Sequence, residues 1–388
     1  MNKAWGMSKV VLRGMTWDHR RAVDPLVATL PEFRRRYPDV DVHWSSRPLQ
    51  GFEFTSVEAL ALNHDVIVFD HPFVGEIAET RCLRPLDDIV DAGLGSAFVG
   101  PSLESYRCGG HVWALPIDAA CQVAVARPDL LATLGRPAPF SWHEMMELGQ
   151  RADRSGLRLA IGLKGVHSLM TFFTLCANLG KPCATEPERD FVDPETACTV
   201  LDEMRRLLSL CPPDVLDWNS IALHDAMVAR DDLIYCPLVY CYATYAEIDM
   251  RRPLQFFDLP GLRSRDPRGS TIGGAGIGVS ARCTEQGTAM AYVRYLADTA
   301  TQKAFAASHG QPAHIDSWED PAIDSRFAGC FRATRSTIEA AWIRPRHPGY
   351  LRFQEKGGML VERHLRGEIA ERDLLSRLSA LHSSRGAG

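Results

Sequence analysis

Apolar and polar positions change period repeatedly along the first part of the chain. Val10-Val11-Leu12 is a short apolar run that predicts a strand over Val10–Arg13. Leu26, Leu30 and Phe33 then recur at helical spacing within Val23–Arg36, and Tyr37-Pro38 stops that helix because proline disfavours helical backbone in the residue before it. Val40-Asp41-Val42-His43-Trp44 alternates like a half-buried strand, and Asp65-Val66-Ile67-Val68-Phe69-Asp70 is an apolar run between carboxylates, as a central parallel strand would be. Strand, helix, strand, excursion and strand predict an α/β fold with helical crossovers. Arg34-Arg35-Arg36 reads as a solvated helix end that complements the helix dipole.

Further on, His111–Leu115 and Cys121–Ala126 are strand-like runs on either side of a bend over Pro116–Ala120. Ser141 with Glu144 three residues later opens a helix that runs to about Ser155-Gly156. Helices follow over His167–Leu179, closed by Gly180, and from Asp193-Pro194-Glu195 to about Leu210. Ile221–Ala229 is a short helix and Leu233–Tyr240 a strand. Gly273-Gly274-Ala275-Gly276 precedes a strand and lacks the order of a phosphate loop, which excludes a nucleotide site; its glycines predict close backbone approach.

Length changes the picture first: 388 residues exceed one ordinary core and predict two domains. With 46% hydrophobic and 23% charged residues and a net charge of −5, the chain is folded and offers no broad basic surface for nucleic acid. Met1–Met7 contain no export signal of ~7–15 apolar residues, and no run reaches the ~20 needed to span a bilayer. The expectation is a cytoplasmic protein without membrane insertion, or a periplasmic one if an export segment has been removed. The odd number of cysteines, eleven, has no disulfide framework and no Cys-x-x-Cys pair, and the histidines complete no metal set, so no cofactor or metal is expected.

Four segments in order carry a family resemblance. The strand ending at Asp70 is followed by Val74-Gly75-Glu76-Ile77-Ala78-Glu79 and Leu83-Arg84-Pro85-Leu86-Asp87; Gly110–Pro116 leads to Val125–Leu131; Trp142 starts a helix; and Gly273–Ser280 precedes a helix from about Glu285 to Asp298, Thr301–Phe305 and Gly310-Gln311-Pro312-Ala313. Together they resemble the family 1 extracellular solute-binding proteins of ABC importers. The resemblance implies a two-lobed periplasmic-binding-protein-like fold of type II, each lobe a mostly parallel sheet flanked by helices, with a ligand cleft between the lobes and hinge closure on capture. It places 8–120 with 273–316 in the first lobe and 121–272 with 317–382 in the second. Its partners would be a small polar or aromatic solute and an ABC permease, with the chain a monomer.

Candidate ligand contacts follow from this frame. Trp17 offers a face for a ring or cation and Asp18 an acceptor, although they also suit a core anchor and a helix N-cap. Asp70 and Asp118 close strand-like runs where carboxylates pair hydroxyls or amines, with His71 beside the first; turn formation is the competing reading. Tyr235, Tyr240, Tyr242 and Tyr245, with Trp218 upstream, would line the second lobe's wall, Tyr240, Tyr242 and Trp218 being the contacts, or would be ordinary strand packing. Gly273 and Gly274 would offer backbone amides. An enzyme on the same fold, similar to thiaminases, is the alternative, with Cys121 as nucleophile and Asp118 or Glu247 as its base; so is a cytosolic ligand sensor. A buried strand cysteine is otherwise a small apolar residue.

Overall fold

The computed structural model describes residues 9–384; the expectation about an export segment in Met1–Met7 lies outside them. The strands are β1 Val10–Trp17, β2 Val40–Arg47, β3 Val66–Phe69, β4 Arg107–Cys108, β5 His111–Val112, β6 Leu115–Ala126, β7 Arg158–Leu159, β8 Leu233–Tyr240, β9 Gln255–Phe257 and β10 Ile272–Val279. The first two helices are α1 Arg20–Arg36 and α2 Leu49–Phe54. Two compact units share the chain, Met1–Ala119 with Gly274–Trp318 and Ala120–Gly273 with Glu319–Gly388. The chain passes between them at Ala119/Ala120, Gly273/Gly274 and Trp318/Glu319.

In the first unit β1 lies between β2 and β3, parallel to both, and β10 adds antiparallel to β3 through Gly276–Val279. All four residues of β3 are buried, which explains its unbroken apolar run. The apolar face of α1 seats Phe33 against the rings of Tyr292 and Tyr295, at 4.7 and 5.2 Å. Because β1, β2 and β3 are parallel, their C-terminal ends at Trp17, Arg47 and Phe69 fall on one edge of the sheet. In the second unit β6 pairs antiparallel with β8 and with β9, and β7 pairs parallel with β8. Phe173 and Phe191 pack there on Phe353, in the helix Tyr350–Leu365.

Three local expectations are corrected. Residues 115–126 form one continuous buried strand, without the bend expected over Pro116–Ala120. Pro116 is its second residue, at the strand start where a missing N–H is tolerated. Gly273–Gly276 lie inside β10 and do not precede it. A Cβ on Gly273 would sit 2.7 Å from the Tyr240 ring, and Gly274 combines a φ of +99° with a Cβ position 2.3 Å from the Asp118 carbonyl oxygen, so packing requires glycine at both. The N-cap of α1 is His19 and not Asp18, whose N–H instead donates to the Arg47 carbonyl at 2.7 Å and prolongs the β1–β2 pairing.

The capping motif of the helix Trp142–Asp153 forms as its sequence predicts. The Ser141 hydroxyl accepts the Glu144 N–H at 3.3 Å, while the Glu144 carboxylate accepts the Phe140 N–H at 2.8 Å. Among the described residues, no helix is long and apolar enough to cross a membrane.

Candidate ligand-binding site

The strand ends of the first unit concentrate polar groups in an apolar setting, the arrangement by which open α/β sheets bind ligands. Trp17 and Arg47 are register partners in β1 and β2, so their side chains share a face. Both meet Phe52 of α2: the Trp17 and Phe52 rings are 4.9 Å apart, and the Arg47 guanidinium lies 5.6 Å from the Phe52 centroid. Trp17 is buried, while Asp18, the next residue, is exposed. At the end of β3, Asp70 caps the turn His71–Phe73 by accepting the His71 N–H at 2.8 Å, and its carboxylate also meets His71 Nδ1 at 3.1 Å. The buried His71 ring stands edge-on to Tyr106.

Arg21, in the first turn of α1, reaches Asp118 in β6. Its Nε donates to one carboxylate oxygen at 2.7 Å and its Nη2 to the other at 2.5 Å, with both residues 4% exposed. Burial raises the Asp118 carboxyl above its ordinary value, opposed by the charge and the hydrogen bonds of Arg21. The adjacent His19 is lowered to about 4 by burial and then by Arg21 and Arg20, so its ring is neutral at pH 7.

The second unit holds the other candidates around a neutral polar network. The Tyr240 hydroxyl donates to Thr271 Oγ1 at 3.1 Å; Thr271 and Thr174 hydroxyls both donate to Gln122 Oε1, at 3.3 and 2.6 Å. The Thr271 N–H donates to Thr174 Oγ1 at 3.0 Å, and Ser270 donates to the Gln122 carbonyl at 2.6 Å. Gly273 lets the half-buried Tyr240 ring lie on the backbone, with His167 edge-on at 6.4 Å. Burial, then the Arg344 charge, lowers His167 to about 4. Tyr242 is buried against His224 and Tyr245, and the Tyr245 hydroxyl donates to Asp225. Trp218 is half-buried under the Arg230 guanidinium, at 5.6 Å. Tyr235 is fully buried and donates to the Pro139 carbonyl.

The enzyme alternative meets an electrostatic obstacle. Cys121 is 1% exposed, and burial pushes its thiol well above the ordinary value although Ser270 opposes this. A nucleophile needs the thiolate, which this setting disfavours. Glu247, its suggested base, is buried with the Arg326 guanidinium at 3.9 Å. Among the described residues, no cluster of three or more His, Cys, Asp or Glu side chains is placed to hold a metal ion.

Arg21 and Arg47 were not among the sequence candidates. Arg47-Pro48 closes β2, and extending the alternation of Val40–Trp44 by three residues would have brought Arg47 to the same edge as Trp17. For Arg21 no sequence signal existed, since its partner lies 97 residues away.

No family model matches the sequence. Solved structures do match over nearly the whole chain. Maltose-bound MalE3 of T. maritima is 18% identical with a TM-score of 0.81, over 96% of this chain and 99% of that one. The GacH receptor of Streptomyces glaucescens, solved unliganded and with acarbose, is 17% identical with a TM-score of 0.81, over 96% and 97%. An ABC transporter solute-binding protein of Agrobacterium radiobacter K84, in complex with ribitol, is 16% identical with a TM-score of 0.75, over 96% and 98%. This chain therefore has the α/β fold of ABC-transporter solute-binding proteins along its full described length.

Proposed function

We propose that the protein belongs with the family 1 solute-binding proteins and reversibly captures a small polyhydroxylated solute for an ABC permease. The observation that carries this reading is the fold match, over 96% of this chain, to proteins solved with maltose, acarbose and ribitol. The chemistry of the strand ends agrees. An unsatisfied indole N–H at Trp17 and an exposed carboxylate at Asp18 are a donor and an acceptor suited to the hydroxyls of such a solute. Importer service puts the protein on the outer side of the cytoplasmic membrane, which cell fractionation tests. Binding itself is tested by thermal shift with maltose, ribitol, D-tagatose and D-mannitol. A ligand at 100 times its Kd stabilises by about 2.7 kcal/mol, a readily measured rise in Tm; a flat profile across neutral and charged sugars and polyols would end the capture reading.

A further inference from the structure

Arg47 is a buried cation that no carboxylate among the described residues answers. The residue is 8% exposed, and its Nε and Nη1 have no hydrogen-bond acceptor among the described residues. Its Nη2 reaches only the Val68 carbonyl, at a long 3.4 Å. Burial alone lowers its pKa to about 10, with no carboxylate offsetting the loss of water. Its register partner adds to the pattern, since the buried Trp17 Nε1 also lacks an acceptor. Three N–H-bearing atoms on one sheet face, at the C-terminal ends of parallel strands, thus have no acceptor among the described residues, and the Phe52 ring packs on both side chains. Leaving a buried charge unpaired is among the costliest arrangements in a fold. An acceptor arriving from outside would offset that cost.

We propose that Arg47, with Trp17, receives an anionic group of the solute, so that the ligand is a sugar or polyol bearing a carboxylate or a phosphate ester. This rests on the solute-capture reading and narrows it. The planar guanidinium still has an Nε–H and, on its other edge, Nη1–H groups to give, any one of which can donate a charge-assisted hydrogen bond to an oxyanion, and the indole N–H is a further unsatisfied donor on the same face.

The test compares neutral compounds with their charged counterparts by calorimetry on the full chain: D-sorbitol with D-gluconate and D-sorbitol 6-phosphate, and D-glucose with D-glucuronate and D-glucose 6-phosphate. The expected result is a charged member binding about 10- to 100-fold tighter than its parent, the worth of charge-assisted hydrogen bonds; the carboxylate and phosphate arms tell which anion it is. Arg47→Met abolishes that preference, weakening the charged member far more than its neutral parent, and Arg47→Lys, which keeps the charge without the planar guanidinium, retains part of it. Neutral parents binding as tightly as the charged members, or Arg47→Met weakening both alike, overturns the anion assignment and leaves solute capture standing. If no compound of either kind binds, solute capture fails and this assignment with it. A readout without ligand is independent of these: Arg47→Met is expected to raise the Tm of the unliganded protein, and a fall shows the guanidinium to be structural and overturns the proposal.

Discussion

Two clusters of buried polar groups, one in each unit, are built in opposite ways. In the second, Gln122, Thr174, Ser270, Thr271 and Tyr240 form a neutral network whose donors and acceptors answer one another. In the first, the strand-end face of β1 and β2 carries a buried cation whose Nε and Nη1, and an indole whose Nε1, have no acceptor among the described residues. Yet the first unit also holds Arg21, equally buried and fully engaged by Asp118. The difference is therefore not one of burial or residue type. A satisfied network holds a fold together, whereas an unsatisfied edge beside it marks where something from solution has to complete the set.

The largest effect that would sharpen this contrast is expected at Asp118. Asp118→Ala strands the Arg21 charge inside the first unit and is expected to cost about 3–5 kcal/mol in urea unfolding; a cost under about 1 kcal/mol would make the pair dispensable and blur the distinction from Arg47. Next comes acid sensitivity. His19 and His167 are both lowered to about 4 in the folded protein, against 6.5 when free. The folded state thus resists a proton that the unfolded chain accepts. Stability from these rings is complete above pH 6.5 and is lost as pH falls toward 4, by about 3 kcal/mol for the fully buried His167. His167→Gln is expected to flatten that part of the urea-midpoint profile, and an unchanged slope would reassign the loss to other groups.

A smaller effect tests the neutral network. Thr174→Val removes the acceptor of the Thr271 N–H and the closest donor to Gln122, and is expected to cost about 1–3 kcal/mol. Were it as harmless as Arg47→Met is expected to be, the two regions would not differ in the way described. The smallest is Ser141→Ala, which removes a helix cap remote from both networks and is expected to cost about 1 kcal/mol, measured the same way.

Local patterns were legible wherever the signal lies within one turn or one strand. The Ser141–Glu144 cap, the stop at Tyr37-Pro38, the helix opened by Asp193-Pro194 and the strand Leu233–Tyr240 needed no knowledge of the rest of the chain. The glycine run misled because its cause is distant: Gly273 exists for the Tyr240 ring and Gly274 for the Asp118 carbonyl, and neither neighbour is visible in the local pattern. Asp118 was legible as a carboxylate closing an apolar run, but its engagement by Arg21 was not, since a pairing across the fold leaves no periodic trace. Arg47 shows the same limit in reverse. An arginine ending a strand reads as a surface charge, and only coordinates reveal a lack of partners.

The three passages of the chain between units bear on how the protein is made. The last strand of the first unit's sheet, β10, pairs with β3, though the whole of Ala120–Gly273 is synthesised between them. A ribosome therefore releases β3 with a bare hydrogen-bonding edge long before its neighbour exists. Closing so wide a sequence gap is slow, and an open edge in the meantime is a template for wrong pairing. Nascent chains arrested before β10 should remain protease-sensitive in both units at once, so that maturation comes as a single late event rather than domain by domain.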